Sequence, residues 1–255
     1  MYAAERHERL AELLREDGRL AVADVAEMFG VSGETVRRDL AVLERHGIAR
    51  RVHGGAVAAH GLRVVEPGLG QRNASRIDAK NRIAEAALAF LPPAQGSIAL
   101  DAGTTVSQLA DRIPTDRDLT VVTHAVPIAA KLTGAPGIVL HVLGGRVRGV
   151  TAASVGSGTV AAIERLQVDV AFMGTNALSP EHGLSTPDGD EAAVKTALVR
   201  CARHVVVLAD SGKLDVDHLF RFAAVEDVDV LVTDRDADPA HVRVFEDKGI
   251  EVVLA

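Results

Sequence analysis

The sequence has little of several residue types, and each shortage excludes a class of protein. With one cysteine, Cys201, in 255 residues, an internal disulfide framework is excluded and a reducing compartment is indicated. No apolar run approaches the roughly 20 residues that a membrane-spanning helix needs, and the N-terminus lacks the apolar core of a signal peptide. The sequence therefore predicts a cytoplasmic protein without a membrane partner, in which Cys201 is a small buried residue on a helix.

Positive charge is scarce as well. The formal net charge is −7, so the chain is not a general binder of polyanions, and any contact with nucleic acid needs a local basic patch. Ten histidines are present, but no cluster has the spacing of a metal site, and no metal or other cofactor is expected. A hydrophobic content of 47% with 25% charged residues is typical of a folded globular protein.

The stretch 22–57 has the pattern of a DNA-binding domain. Gly30 ends one predicted helix, and Ser32 is placed to cap the next helix. The three-residue turn between the two helices is the spacing of a helix-turn-helix. Apolar residues of this next helix recur at spacings of three and four, so they share one face that is expected to pack inward. These inward residues are Val36, Leu40 and Leu43.

The opposite face of this helix is rich in arginine. It carries Glu34, Arg38, Ala41 and Arg45, with Thr35 and Arg37 on its flanks. Short residues among guanidinium groups suit entry into the major groove, because arginine binds guanine bidentately or holds phosphates. Isolated arginines would be interpreted as solvated charges, but the helix-turn-helix pattern around them favours DNA contact.

A basic two-stranded tail follows the helix. It carries Arg50, Arg51 and His53, and the pair Gly54-Gly55 permits the tight turn, or the close approach to a phosphate, that a wing requires. Residues 1–57 hold nine arginines and ten acidic residues, so positive charge is concentrated only on the helix and the tail. The pattern predicts a winged helix-turn-helix, a domain that binds duplex DNA.

Residues 32–57, SGETVRRDLAVLERHGIARRVHGGAV, resemble the N-terminal signature of the DeoR family of bacterial sugar-operon regulators. The resemblance implies that Thr35, Arg37 and Arg38 lie in the DNA interface and that the wing provides further contacts. Together the residues expected to contact DNA are Ser32, Glu34, Thr35, Arg37, Arg38, Arg45, Arg51, His53 and Gly54.

The remaining chain divides into a linker and a larger domain. Residues 58–73 contain glycine and proline without a clean period, which predicts a linker between a DNA-binding domain, 1–57, and an effector and oligomerisation domain, 74–255. Residues 74–91 are predicted to form a helix. Short apolar runs then alternate with helical patterns, which indicates an α/β domain with a mainly parallel sheet. The predicted strands are SIALD, LTVVT, GIVLHVL, VDVAFMG, HVVVLAD, VDVLVTD and IEVVLA.

Four loops at the carboxyl ends of these strands carry polar or flexible residues, and ligands bind beyond this edge of a parallel sheet. After the first strand, Gly103 allows close approach of the backbone. Thr104 and Thr105 open a helix whose free amide groups favour an anion, although the same residues also make an ordinary helix cap. The polar or flexible residues of the other three loops are Gly144, Gly145, Arg146, Arg148, Thr175, Asn176, Asp210 and Lys213.

Two further features belong to the same region. Residues 174–186, GTNALSPEHGLST, are predicted to form one long loop of a length usually reserved for function. Glu191 and Lys195 are four residues apart and stack on one helix face. Taken alone, that spacing favours a weak surface ion pair.

The segments LDAGTT, LGG, GTNA…GLST, EAAVKTALV and ADSGKLD resemble, in the same order, the effector domain of the DeoR family. That domain is similar in fold to ribose-5-phosphate isomerase, and the resemblance implies a pocket for a small phosphorylated sugar. The GTNAL and LSTPDGDEAA segments are most similar to regulators of fructose-utilisation operons, which implies fructose 1-phosphate as the effector. The residues expected at the pocket are Asp101, Gly103, Thr104, Thr105, His124, Gly144, Gly145, Arg146, Thr175, Asn176, Glu191, Lys195, Asp210 and Lys213.

Two positions depart from the family pattern. The fourth loop has DSGK where DSSK or DHSK is common, which removes a hydroxyl from the pocket. His124 stands where asparagine is common, so it is interpreted either as a pH-sensitive phosphate donor or as a plain loop histidine, the latter being the simpler interpretation.

Three functions fit these features. The first is a repressor, a homodimer or homotetramer on double-stranded operator DNA, released when a sugar phosphate binds. The second is a sugar-phosphate isomerase or deaminase with an added DNA-binding domain, using Glu191, Asp210 and Lys213, but Asn176 stands where true isomerases have acidic residues. The third is a DNA-binding protein whose large domain only oligomerises. The first function is predicted, and no enzymatic activity is expected.

Overall fold

The structure is a computed structural model that describes residues 3–45, 49–52, 54–58, 66–114 and 116–255. The chain divides into two compact units, Met1–Leu62 and Arg63–Ala255. Each unit has its own apolar core. Within the described ranges, no helix has the length and apolarity needed to cross a membrane.

The described residues of the first unit form three helices and a small antiparallel sheet. Gly18 and Gly30 adopt left-handed backbone conformations, with φ of 70° and 62°, and end the first and second helices as the sequence predicts. The sheet has the strand order β1-β3-β2. In chain order the elements are α1 (Ala3–Asp17), β1 (Arg19–Ala21), α2 (Val22–Phe29), α3 (Gly33–Arg45), β2 (Ala49–Val52) and β3 (Gly55–Ala58).

The third helix is fixed on both sides. Its predicted inward residues, Val36, Leu40 and Leu43, are all buried in the core that α1 and α2 share. Asp39 is buried as well and pairs with Arg6 of α1 at 2.6 Å. Burial opposes ionisation of Asp39, but hydrogen bonds from Arg6 and the neighbouring histidine outweigh it and lower its pKa. The exposed face of α3 is therefore held in one orientation.

Over residues 66–114 and 116–255, the second unit contains twelve strands and seven α-helices. The strands are β4 (Ser97–Leu100), β5 (Leu119–Thr123), β6 (Ile138–Val142), β7 (Arg146–Arg148), β8 (Ala153–Val155), β9 (Val168–Gly174), β10 (Ala177–Ser179), β11 (Gly183–Thr186), β12 (Ala202–Leu208), β13 (Phe220–Ala223), β14 (Val230–Thr233) and β15 (Glu251–Leu254). The helices are α4 (Leu69–Ala74), α5 (Ile77–Ala87), α6 (Thr104–Ala110), α7 (Val126–Leu132), α8 (Ser157–Ile163), α9 (Gly189–Cys201) and α10 (Pro239–Asp247).

A seven-stranded sheet with the order β15-β14-β12-β9-β4-β5-β6 forms the centre of this unit. Every neighbouring pair is parallel, and its seven members are the seven strands predicted from the sequence. One face packs against α5, α6 and α7 through residues such as Ile83, Leu109 and Ile128. The other face packs against α8, α9 and α10 through Ile163, Leu198 and Phe245. The mainly parallel α/β fold is confirmed.

Three local predictions are wrong. Residues 174–186 do not form one long loop, because β10 and β11 pair as an antiparallel hairpin that β13 extends to three strands. The segment that begins at Arg146 is strand β7, paired with β8, rather than a loop. The helix predicted over 74–91 begins only at Ile77, since Arg76 takes a left-handed conformation with φ of 51°, and ends at Ala87. A separate helix, α4, precedes it within the predicted linker.

Candidate functional site

Asp101 lies at the carboxyl end of β4 and joins four elements of the second unit. Its side chain accepts hydrogen bonds from the backbone amide of Gly174 at 2.9 Å and from the ammonium group of Lys195 on α9, and it lies 3.1 Å from Nε2 of His124. Asp101 is completely buried. Burial alone would raise its pKa, but the charge of Lys195 and the hydrogen bond of His124 outweigh burial and lower the pKa of this carboxyl.

Lys195 is part of this buried cluster and not of a surface pair with Glu191. Its Nζ bonds to the carbonyl oxygen of Gly174 at 3.0 Å and lies 5.3 Å from the centre of the Phe222 ring. The interpretation of Glu191 and Lys195 as a weak surface ion pair is therefore wrong. Helix α9 is covered on several sides, so the spacing of four residues places the two side chains on a buried face.

His124 is not a plain loop histidine. The ring is 1% exposed, and its Nδ1 lies 2.9 Å from the carbonyl oxygen of Ser154. A carbonyl can only accept, so Nδ1 carries a proton. The other nitrogen, Nε2, lies 3.1 Å from both the amide of Ala102 and a carboxylate oxygen of Asp101. A neutral ring accepts from Ala102, whereas a protonated ring donates to Asp101. Both nitrogens thus contact protein groups.

A second cluster forms around Arg148, which the sequence analysis placed in a loop but did not assign to the pocket. Its guanidinium group lies 2.5 Å from Glu66, 3.0 Å from Asp188 and 3.3 Å from Glu191. Glu191 also accepts a hydrogen bond from the hydroxyl group of Thr151. Burial opposes the charge of Arg148, but these carboxylates outweigh burial and raise its pKa. Glu191 is therefore held in place by an ion-pair network.

A third cluster surrounds Lys80, which the sequence analysis missed. Its ammonium group donates to the carbonyl oxygens of Arg72 and of Ser75, the latter at 2.6 Å. Burial lowers the pKa of Lys80 to about 8, although the charge of Asp210 opposes the shift. The charge of Lys213 lowers this pKa further, so the charges of two predicted pocket residues act on Lys80. A signal was present in the sequence, because Lys80 shares a helix face with apolar residues three, four and seven positions later.

Arg76 connects this third cluster to the ends of β12 and β14. Its guanidinium group lies 3.1 Å from the buried Asp234, 2.8 Å from the hydroxyl group of Ser211 and 3.6 Å from Asp210. Burial would raise the pKa of Asp234, but the amide of Ser211 and the charge of Arg76 outweigh burial and lower it. A left-handed conformation at a residue other than glycine costs roughly 1–3 kcal/mol, which this network offsets.

The loop after β4 presents unsatisfied donors at the same edge. Within the described residues, the backbone amides of Gly103, Thr104 and Thr105 donate to no protein acceptor. The first amides of any helix lack an intrahelical partner, so they are available to solvent or to a ligand. Helix α5 packs against α6, and both helices begin at the carboxyl edge of the sheet.

The other predicted pocket residues differ in their surroundings. Asn176 donates to Glu66 at 3.1 Å, whereas the hydroxyl group of Thr175 is engaged by the backbone of Ala177 at 2.6 Å. Arg146 is largely exposed and pairs with Asp190. The carbonyl of Gly144 accepts from the hydroxyl group of Thr159, and a side chain at Gly145 would overlap that same hydroxyl. Of these residues, Asn176 alone shares a partner with the Arg148 cluster among the described contacts.

In the first unit, α3 exposes the residues expected to contact DNA. The hydroxyl group of Ser32 accepts from the amide of Thr35 at 3.2 Å, which confirms Ser32 as the helix cap. Arg37 and Arg38 are both exposed. Arg37 lies 3.5 Å from Glu34, and within the described part of the chain Arg38 pairs with no carboxylate. The helix thus presents a capped N-terminus and two accessible guanidinium groups.

The two-stranded tail is a wing held against α3. Glu44 of α3 accepts from the backbone amide of Arg51 at 2.9 Å and from its side chain at 2.5 Å, and these bonds lower the pKa of Glu44. Gly54 has φ of 76° at the turn between β2 and β3, and its carbonyl accepts from the amide of Val22. His53 and the side chains of Arg45 and Arg50 lie outside the described residues.

These two sites define a class of protein, a winged helix-turn-helix DNA-binding unit joined to an α/β unit with polar clusters at its carboxyl edge. The family models described as "DeoR-like helix-turn-helix domain" and "DeoR C terminal sensor domain" match residues 6–61 and 75–235. The chain belongs to the DeoR family of transcriptional regulators.

Individual relatives carry the names of transcriptional regulators. The HTH-type transcriptional regulator GlpR of Haloferax volcanii is 36% identical over 99% of this chain and 98% of its own. The uncharacterized HTH-type transcriptional regulator FruR of Bacillus subtilis is 33% identical over 92% and 93%. Among solved structures, ribose 5-phosphate isomerase A of Methanocaldococcus jannaschii matches 55% of each chain with 17% identity and a TM-score of 0.40. The chain is a regulator with a helix-turn-helix domain and a sensor domain, and not an enzyme.

Proposed function

We propose that this protein is a repressor of a sugar-utilisation operon and leaves its operator when a phosphorylated sugar binds the sensor domain. One observation carries the proposal. The backbone amides of Gly103, Thr104 and Thr105 donate to no described protein acceptor at the start of α6, and α5, which carries Lys80, packs against α6. Free backbone amides at a helix start, with a cationic side chain on the adjacent helix, suit a phosphate monoester, whereas an unphosphorylated sugar offers these amides no anion.

The leading effector is fructose 1-phosphate. The resemblance of the GTNAL and LSTPDGDEAA segments to regulators of fructose operons supports this choice, as does the 33% identity to the relative named FruR. In this proposal the carboxyl ends of the strands are held in position by the buried cluster of Asp101, His124 and Lys195. The ligand contacts Thr104, Thr105, Asn176, Lys80 and Lys213.

The DNA interface consists of α3 and the wing. We assign Arg37 and Arg38 to base or phosphate contacts in the major groove, with Thr35 and Arg51 beside them. One helix of this kind contacts only a few base pairs, so a homodimer or homotetramer on repeated half-sites supplies the rest of the affinity. We retain residues 58–73 as the linker between the two functions.

Fluorescence anisotropy on DNA from upstream of the protein's own gene tests the proposal. The wild type binds this DNA, and fructose 1-phosphate weakens binding by at least about tenfold, a coupling of roughly 1.4 kcal/mol. Fructose, inorganic phosphate, glucose 6-phosphate and ribose 5-phosphate serve as comparisons. A wild type whose operator affinity responds to no sugar phosphate, and whose melting temperature none of them raises, contradicts the effector assignment and leaves a domain that only oligomerises.

The DNA interface has its own test. Replacing Arg37 and Arg38 by alanine is expected to weaken operator binding by roughly tenfold for each arginine, because each contact contributes about 1–3 kcal/mol. The melting temperature should stay unchanged, since both side chains are exposed. Arg9→Ala on α1 is the matched control, because it removes an exposed arginine from the same unit. Full binding by the double variant would exclude α3 as the recognition helix.

A further inference from the structure

The side chain of Glu66 occupies the carboxyl edge of the sensor sheet, although nothing in the sequence pattern assigned it there. Its carboxylate lies 2.8 Å from Arg72, 2.5 Å from Arg148 and 3.1 Å from the amide nitrogen of Asn176. The side chain is 3% exposed. A carboxylate buried to this degree needs such partners, because an unpaired one would be costly.

The segment 66–76, which we call the strap, is attached by polar contacts. Glu66 binds at one end, and Arg76 binds the ends of β12 and β14 at the other. Between them, the carbonyl oxygens of Arg72 and Ser75 accept from Lys80. Helix α4, which forms most of the strap, has no buried residue. Because α4 has no buried residue, the strap is held mainly by these polar contacts, and a ligand that bonds to the same donors can displace it.

The charges around Glu66 indicate which part of a ligand could replace it. The ion-pair set contains two arginines, Arg72 and Arg148, and three carboxylates, Glu66, Asp188 and Glu191. Arg72 belongs to the strap, so when the strap leaves with Glu66, Arg148 remains beside Asp188 and Glu191, one positive charge against two negative charges. A phosphate dianion placed there would be repelled by this net negative charge, whereas uncharged hydroxyl or carbonyl oxygens would accept from Arg148 and Asn176 without that repulsion.

We propose that Arg148 and Asn176 form the subsite for the uncharged, hydroxyl-bearing end of the effector, and that Glu66 occupies this subsite when no effector is bound. This inference rests on the proposed function, because it fixes how a phosphorylated sugar lies along the carboxyl edge. Its phosphate takes the amides after β4 and the ammonium groups, and its hydroxyl groups take the subsite. Binding expels Glu66.

Displacement of Glu66 couples effector binding at the subsite to the DNA-binding unit. Seven residues, 59–65, separate Glu66 from Ala58, the last residue of the wing strand β3. Displacement of the strap therefore changes the point at which this connection is attached to the sensor unit. Because the effector and Glu66 compete for the same donors, the strap is attached only when no effector is bound. The operator affinity of the protein is high when the strap is attached and low when it is displaced.

The subsite is tested with two variants whose effects have opposite signs. Glu66→Gln removes the competing charge and is expected to tighten fructose 1-phosphate binding by about tenfold in isothermal titration calorimetry. Asn176→Ala removes a donor and is expected to weaken it by about tenfold. Inorganic phosphate, used as a second probe, should bind equally to wild type and Glu66→Gln, because the phosphate lies elsewhere. Asp169→Asn is the control, since it alters a partly buried carboxylate at the amino edge of the sheet.

Three results would overturn the subsite. They are unchanged fructose 1-phosphate affinity in Glu66→Gln, weaker affinity in Glu66→Gln, and an equal gain for inorganic phosphate. Glu66→Asp, which keeps the charge on a shorter side chain, should lie between wild type and Glu66→Gln and guards against misfolding.

Operator affinity without effector separates this inference from the proposed effector. The expected result is operator binding several-fold weaker in Glu66→Gln than in wild type, and wild-type operator affinity in Glu66→Gln would refute the coupling. If the wild type binds no sugar phosphate but Glu66→Gln still weakens operator binding, the assigned effector is wrong and the coupling of the strap to operator affinity is retained. If the wild type responds to fructose 1-phosphate and Glu66→Gln behaves identically, the coupling of the strap is wrong and the assigned effector is retained.

Discussion

Replacing Asp101 by asparagine tests the buried cluster at the end of β4. The substitution keeps the size of the side chain but removes its charge, which leaves the ammonium group of Lys195 buried at 3% exposure without a counter-charge. Breaking a buried ion pair by removing one partner costs roughly 3–5 kcal/mol. For a unit of this size, that loss lowers the melting temperature by roughly 6–20 °C.

The loss should depend on pH. Because the folded-state pKa of Asp101 is lowered, its contribution to stability is fully present above the unfolded pKa of about 4 and disappears as pH falls through the folded value. The difference between wild type and Asp101→Asn in free energy of unfolding is therefore constant from pH 5 to 7 and shrinks in more acidic solution. Urea unfolding followed by circular dichroism suits the measurement, since the chain has no tryptophan and one tyrosine.

Two controls sharpen the test. Asp169→Asn makes the same chemical change at a carboxylate that accepts from the amide and the hydroxyl group of Ser97, and it should cost roughly 1 kcal/mol. Replacing Lys195 by methionine together with Asp101→Asn removes both charges and should recover part of the loss. A loss below about 1 kcal/mol at pH 7 for Asp101→Asn alone would refute the reasoning, as would a double variant less stable than Asp101→Asn alone.

Two further predictions follow from local packing. Gly55→Ala should destabilise the first unit by roughly 1–3 kcal/mol in thermal unfolding, because its Cβ would overlap the carbonyl oxygen of Leu20. Gly54→Asn is the matched control, since the neighbouring turn has open space and asparagine tolerates its φ of 76°; equal losses in both would contradict the packing argument. Cys201 should resist a thiol reagent at pH 8 in the native protein and react fully in urea, because burial raises its pKa to about 11. Labelling of the native protein at the rate of a free thiol would refute this.

The sequence predicted much of the fold because its signals are local. A parallel sheet covered on both faces needs strands that are apolar throughout, and the seven short apolar runs are the seven strands of the parallel sheet. The helix-turn-helix was equally visible, since a glycine stop, a serine cap and spacings of three and four define it within about twenty residues. The antiparallel strands β10, β11 and β13 were missed, because β10 and β11 are only three and four residues long and the pairing of β11 with β13 joins residues far apart in the chain.

The tertiary structure alone decided how the charged side chains pair. From the sequence, Glu191 and Lys195 were neighbours on a helix, yet one lies against Arg148 and the other against Asp101. Periodicity predicts which face of a helix points inward, but not which buried partner a long charged side chain finds there. Glu66 shows the same limit, since nothing nearby in sequence marks it as the partner of Arg148, 82 positions later. The pairing is set by the meeting of distant loops at one sheet edge, where each buried charge needs an opposite charge.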